Sequence, residues 1–366
     1  MTAKRETNFD LLRVLAMLAV IQTHVSGTWL NGIWDLLVNG MHTWELPHVF
    51  MAPWYYCISR FAVPCFVMLS GAFILDKPEN AQYGMFYRKT FRRIGVPMLA
   101  FSLFYILYSI PSCLWGENTG WEAVKALLQR ALSGAPYNHM WYLYMMAGVY
   151  ALSPVVIRFK REISLRTYTI TAAVFLLLAG ISAWTSGTHL LSWDIGMVFE
   201  YLAYYMIGDV IRTLTRKKSN VCGIALVLAG LLIETGLAVW IYQINYEFVT
   251  DMEAIRLESL DYLGLPVMAA SVLIFCGFAR LSVKPVGWIS ELSKASLYVY
   301  LLHALFYDLI RKAFRLSTGL RSYMYHYLDG MVAVPALTLA VLALSFLAAR
   351  LLLRLQRKRQ ETHKGP

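Results

Sequence analysis

With 58% of its 366 residues hydrophobic, only 15% charged and a mean hydropathy of +0.52, this chain is too apolar for a soluble domain. In such domains about a quarter of the residues carry charge. The formal net charge of +11 raises nucleic-acid binding, but the Lys and Arg residues flank apolar runs instead of forming one soluble patch, so no nucleic-acid partner is expected.

Ten apolar segments are each long enough to cross a bilayer: 9–29, 54–75, 94–115, 139–158, 168–186, 194–213, 221–241, 262–282, 290–311 and 330–353. The pattern predicts an all-α polytopic integral membrane protein, one domain over 1–366 with a basic tail at 354–366. The first segment, FDLLRVLAMLAVIQTHVSG, carries Asp10, Arg13 and His24. A charged residue at mid-membrane costs about 2.5–3.5 kcal/mol on insertion scales. Arg13 and His24 are eleven residues apart, which returns to within about 20° of the same helical direction. Asp10, three residues before Arg13, shares that stripe. One face is therefore ionisable, as expected of a helix lining a polar cavity. Lys4 and Arg5 imitate the start of a signal peptide. Because Asp10 and Arg13 intrude on the apolar run and no A-x-A-like site follows, a retained span is expected.

The next stretch, 30–53, is read as a loop holding Trp34, His42, Trp44 and His48. The second segment, WYYCISRFAVPCFVMLSGAFIL, holds Arg60 near its start and Ser70-Gly71 near its end. Arg88, Lys89, Arg92 and Arg93 precede the third, and 116–138 is read as a second long loop. The fourth opens on HMWYL, with His139, Trp141 and Tyr142. Glu200 and Glu234, in the sixth and seventh, are expected to be buried acids that pair with Lys or Arg outside the site. An acidic loop over 242–261 follows. The ninth, SKASLYVYLLH, sets Ser296, Tyr300 and His303 on one face. Five cysteines (57, 65, 113, 222 and 276) form no C-x-x-C pair, so neither a disulfide nor a metal site is expected.

Counting Lys and Arg in alternate loops puts twenty-three on one side and seven on the other. The positive-inside rule then predicts both termini in the cytoplasm. Four of the seven exceptions (Arg311, Lys312, Arg315 and Arg321) cluster between the ninth and tenth segments. Depth along each span follows from this topology. Arg13, Arg88, Lys89, Arg92 and Arg93, with Ser70 and Gly71, form an inner basic cluster. His24, Arg60, His139, Trp141 and Tyr142 form an outer one, with His303 at middle depth. Lys and Arg supply charge-assisted hydrogen bonds to phosphate, and an imidazole suits proton removal from a hydroxyl. Span-flanking cations also serve as ordinary topological anchors, and a membrane histidine can be a packing residue.

Five stretches, taken in order, resemble the membrane acyltransferase family 3. They are Arg13 to His24 with ten residues between; SRFAVPCFVMLSG through Arg60, Pro64, Phe66, Ser70 and Gly71; YRKTFRRIGVP; HMWYLYMMAGVYALSP; and ISELSKASLYVYLLHALF. Within the family the chain looks most like stand-alone O-acetyltransferases of the enterobacterial-common-antigen type. The resemblance implies transfer of acetyl from cytoplasmic acetyl-CoA, a co-substrate and not a resident cofactor, to a hydroxyl of a surface glycan or lipid-linked saccharide. It implies a home in the bacterial cytoplasmic membrane, in contact with its lipid. His24 is implied as the catalytic base and Arg13 as a donor-site residue. Ser70, Gly71, Arg88, Lys89, Arg92 and Arg93 fall to donor binding, and Arg60, His139, Trp141, Tyr142 and His303 to the transfer site. A transporter or flippase, and a sensory membrane domain of the kind fused to racemases in glycopeptide resistance, are the competing readings.

The topology is testable by labelling. In a background without native cysteines, Ser219→Cys should be shielded from a membrane-impermeant thiol reagent and Tyr246→Cys should react from outside. Equal reaction at both positions would contradict the ten-span arrangement.

Overall fold

The computed structural model describes residues 6–38, 47–115, 120–132, 134–185, 193–215, 217–247, 261–318 and 330–362. Among these, regular structure is helical throughout. The elements are α1 (Thr7–Val38), α2 (Pro47–Cys57), α3 (Ala62–Ile74), α4 (Tyr83–Thr90), α5 (Val96–Trp115), α6 (Trp121–Leu132), α7 (Trp141–Glu162), α8 (Leu165–Thr185), α9 (Trp193–Leu214), α10 (Asn220–Glu247), α11 (Leu265–Arg280), α12 (Gly287–Thr318) and α13 (Gly330–Thr362). A 3₁₀ turn at Pro78–Ala81 precedes α4, and a π turn at Phe91–Gly95 joins α4 to α5.

Nine of the ten apolar segments each fall on one helix and the second falls on two, α2 and α3, as lipid requires of any backbone that cannot hydrogen-bond to water. Among the described residues, seven stretches are long and apolar enough to cross a membrane, and Leu265–Arg280 is a shorter apolar helix. Leu, Val and Ile side chains stay exposed along them, among them Leu99, Leu103 and Leu107 on α5 and Ile170, Leu177 and Leu178 on α8. A bilayer would cover these. The chain is an all-α polytopic membrane protein.

Three local features depart from the expected boundaries. Helix α1 runs beyond residue 29 to Val38. The stretch 116–138 contains α6, whose apolar Trp121, Leu128 and Leu132 are exposed beside Glu122, Lys125 and Arg130. It is too short and too charged to register as a span, yet amphipathic enough to fold. The second segment is not one helix. Pro64 has no amide hydrogen, and its ring would press on the carbonyl of Arg60, four residues back. The chain therefore turns through Ile58–Phe61, where Ser59, Arg60 and Ala62 donate to carbonyls only three residues back. The side chains of Trp34, His42, Trp44 and His48, and residues 248–260 and 319–329, lie outside what the structure describes.

The chain divides into two compact units, Met1–Phe66 with Thr215–Pro366, and Val67–Leu214. In the first, α10 and α11 pair antiparallel, and the start of α10 is fastened to the end of α11 by Ser219 N–H donating to the Arg280 carbonyl at 3.0 Å. The Asn8 side chain donates to the Phe278 carbonyl at 2.8 Å, tying the start of α1 to the end of α11.

In the second unit, α3 and α9 cross at van der Waals contact because two glycines remove the obstructing Cβ atoms. A methyl on Gly71 would stand 1.7 Å from the Tyr205 carbonyl oxygen, and one on Gly208 would stand 2.1 Å from that of Met68. Hydroxyls knit the same region: Tyr205 to Ser153 at 2.8 Å, and Tyr150 donating to Ser70 at 3.1 Å. Lys160 meets the buried Asp209 at 2.7 Å, and Arg212 donates to Asp76 at 2.7 Å and to the Ala72 carbonyl at 2.9 Å.

The crossing predicts a contrast. Backbone oxygens cannot swing aside, so Gly71→Ala and Gly208→Ala should each cost about 1–3 kcal/mol and lower the melting temperature of the detergent-purified chain. Gly236→Ala, with nothing within 4 Å, should not lower it. An unchanged melting temperature for Gly71→Ala would contradict the close crossing.

Candidate active site

The ionisable stripe of α1 faces α12. At the N-terminal level, Arg13 Nη1 donates to Ser293 Oγ at 2.9 Å and to Asp10 Oδ1 at 3.2 Å, while Ser293 Oγ donates to Asp10 Oδ1 at 2.7 Å. Three turns further along, the ring of His24 stands 5.2 Å from that of His303. Ser293 precedes His303 by ten residues and Arg13 precedes His24 by eleven, each about 15–16 Å of helix. The two contacts therefore set α1 and α12 parallel and in register. His303 Nδ1 lies 2.5 Å from the Tyr300 carbonyl. A carbonyl only accepts, so this contact puts a proton on Nδ1 and, in the neutral ring, leaves Nε2 as the acceptor.

Arg60 emerges from the turn between α2 and α3 that Pro64 imposes. It is 7% exposed. Its guanidinium carbon lies 3.7 Å above the Tyr262 ring and 5.1 Å from that of Tyr56, and Nη1 donates to the Tyr56 hydroxyl at 3.3 Å. Nearby, Gln22 of α1 donates to Ser59 Oγ at 2.8 Å and to the Tyr55 carbonyl at 3.1 Å, securing the turn against α1. One unit thus holds the half-buried His24 with the buried His303 and Arg60, and Asp10 and Arg13 lie along the same stripe of α1, bonded to Ser293 of α12.

The second unit holds the remaining residues. His139 is buried against Tyr105 and Tyr137, with ring centroids 5.1 and 5.9 Å away, and Tyr137 stacks on Tyr105 at 4.5 Å. Trp141 packs on Tyr201 at 6.0 Å and on Tyr142 at 6.3 Å. Arg88, Lys89, Arg92 and Arg93 are exposed and, with Gly84 and Met85, line an open groove of about 690 Å³. They lie one turn apart in pairs, on the continuous α4–π–α5 rod, which is why four cations share one wall. Ser70 and Gly71 are not part of that wall. They sit in the α3–α9 crossing, Ser70 bonded to Tyr150 and Gly71 against the Tyr205 backbone.

Two participants escaped the sequence. Ser293 and Tyr262 carry no signal, because a serine and a tyrosine are ordinary in a span. Glu234 was visible as a buried acid, and it is 0% exposed on α10. Glu200, expected to meet Lys or Arg, accepts a hydrogen bond from Ser182 at 3.1 Å.

A helical membrane protein whose ionisable residues face one another across parallel helices is the class that fold and site define. The family model described as the acyltransferase domain matches residues 6–350. The chain belongs to that family of membrane acyltransferases. No curated protein and no solved structure matches it.

Proposed function

We propose that the protein moves an acetyl group from acetyl-CoA, taken from the cytoplasm, to a hydroxyl of a cell-surface glycan or its lipid-linked precursor. It does so from the bacterial cytoplasmic membrane, with ten spans and both termini inside. The observation that carries this reading is the imidazole pair of His24 and His303, whose rings stand 5.2 Å apart between α1 and α12.

In the reaction a sugar hydroxyl gives its proton to His24 as its oxygen attacks the thioester carbonyl carbon. Attack on a thioester gains from such a base, typically about 10²–10⁴-fold. The tetrahedral intermediate carries an oxyanion, which a fixed guanidinium stabilises; Arg60 is the cation closest to this role. Collapse breaks the carbon–sulfur bond, the ester forms, and the CoA thiolate recovers the proton from His24. Arg13, fastened by Asp10 and Ser293, holds α1 in the register that turns His24 toward His303. The Arg88–Arg93 groove suits the phosphates of CoA, because each guanidinium can bind an anionic oxygen pair. His139, Trp141 and Tyr142, set among aromatic rings, suit an acceptor sugar's apolar face. Gly71 has a packing requirement that its donor-binding role would have to share.

The test is purified full-length protein in detergent with labelled acetyl-CoA. Hydrolysis or transfer of the label is expected, whereas movement of a solute without acetyl chemistry would favour a transporter. Arg92→Ala and Arg93→Ala should each weaken acetyl-CoA binding by about 1.5–3 kcal/mol while slowing the bound-state reaction little. Unchanged affinity in both variants would make these residues membrane anchors and contradict the groove as donor site.

A further inference from the structure

The C-terminal half of α12 carries one acid between two cations. Asp308 is buried, at 7% exposure. Arg311 Nη2 donates to its Oδ1 at 3.2 Å, and Lys312 Nζ meets its Oδ2 at 2.8 Å. The cations stand three and four residues beyond the acid, so they flank it on either side of the same helical face. One carboxylate against a guanidinium and an ammonium leaves a positive charge over. Arg311 Nε is buried and makes no hydrogen bond, so the guanidinium keeps a donor that Asp308 does not use. The two cationic side chains themselves are partly open, at 40% and 51% exposure.

In the topology with both termini inside, this end of α12 faces outward, where Lys and Arg are otherwise scarce. Orientation of the chain therefore gives no reason for cations here, and neutralising Asp308 needs only one of the two. Side chains on a helix lean toward its N-terminus, and both ion pairs draw the cationic heads that way, back toward Asp308. His303 lies in the same direction. Asp308 is five residues from it and Arg311 eight, about 7.5 and 12 Å of helical rise. A short saccharide with one hydroxyl at the imidazoles would extend along α12 to this level. An anionic group on it would meet a guanidinium and an ammonium, which bind carboxylate or phosphate oxygens through charge-assisted hydrogen bonds. From this we infer that Asp308, Arg311 and Lys312 form an anion-binding subsite for the acceptor, and that the acceptor carries a carboxylate or a phosphate. Asp308 holds the two cations in place, and Arg311 and Lys312 make the contact. The assignment to an acceptor rests on the acyl-transfer reading and its topology, whereas the anion site itself rests on the ion pairs.

The experiment measures binding to the purified full-length protein in detergent with matched probes. Methyl glucuronide and methyl glucoside differ by a carboxylate; polyprenyl phosphate and polyprenol differ by a phosphate. In at least one pair the anionic member should bind at least about tenfold more tightly than the neutral one, as a charge-assisted contact implies. The pair that discriminates tells whether the anion sits on the sugar or on a lipid carrier. Raising the salt concentration should weaken the preference. Arg311→Gln combined with Lys312→Gln should abolish it and leave the affinity for acetyl-CoA unchanged. If that double variant does not fold, Lys312→Gln, at an exposed position, carries the test and should reduce the preference at least about threefold. The absence of an anionic preference in both pairs overturns the inference, as does a preference that survives the substitutions. A parallel loss of acetyl-CoA affinity also overturns it, because the cluster would then be structural. If the wild-type protein neither hydrolyses acetyl-CoA nor transfers its acetyl group, the acyl-transfer reading fails. A preference abolished by the substitutions then still upholds the anion site, and its absence overturns it.

Discussion

A charge inside hydrocarbon has to be met by a polar group on another helix, and in this chain that demand sets the geometry of α1 and α12. Asp10 and Arg13 would each be costly alone; with Ser293 they form a closed set of hydrogen bonds. Once that knot is tied, helical rise alone brings His24 to the level of His303. The knot's importance is therefore less its own strength than the register it imposes. Buried ion pairs contribute little net stability but penalise any arrangement that leaves a member unpaired. A slip of either helix by one residue would both break the knot and turn the imidazoles apart.

Backbone irregularity supplies the second constraint. Pro64 breaks what would otherwise be a continuous span, and the resulting turn presents Arg60 to the interior rather than to lipid. Irregular backbone at membrane depth is tolerated where protein surrounds it, and here Gln22 and Tyr262 do so. The other unit uses the opposite device. Its α3–α9 crossing is smooth and tight, with glycine set against backbone at Gly71 and Gly208 and hydroxyls of Ser70, Tyr150, Ser153 and Tyr205 satisfied between helices.

Much of this was legible in the sequence. Apolar length located the helices, because a span must be long and apolar whatever it packs against. The eleven-residue interval between Arg13 and His24 revealed a shared face, and four clustered cations revealed the groove wall. Partners across helices were not legible, because which serine or tyrosine meets an ionisable group depends on packing between segments hundreds of residues apart. Ser293 and Tyr262 are of this kind. The break in the second span was implicit in Pro64, but a proline in an apolar run is equally compatible with a kink. The helix at Trp121–Leu132 was hidden because a search for spans passes over a short charged segment.

The central claim is that His24 is the base of an acetyl transfer, and isosteric replacement tests it most directly. His24→Gln keeps a hydrogen-bonding side chain but cannot take a proton. The account predicts that this variant inserts, folds and binds acetyl-CoA as the wild-type protein does, and loses nearly all acetyl transfer, as loss of a general base requires. Retention of more than about a tenth of wild-type turnover would contradict it, because proton removal would then belong to another group.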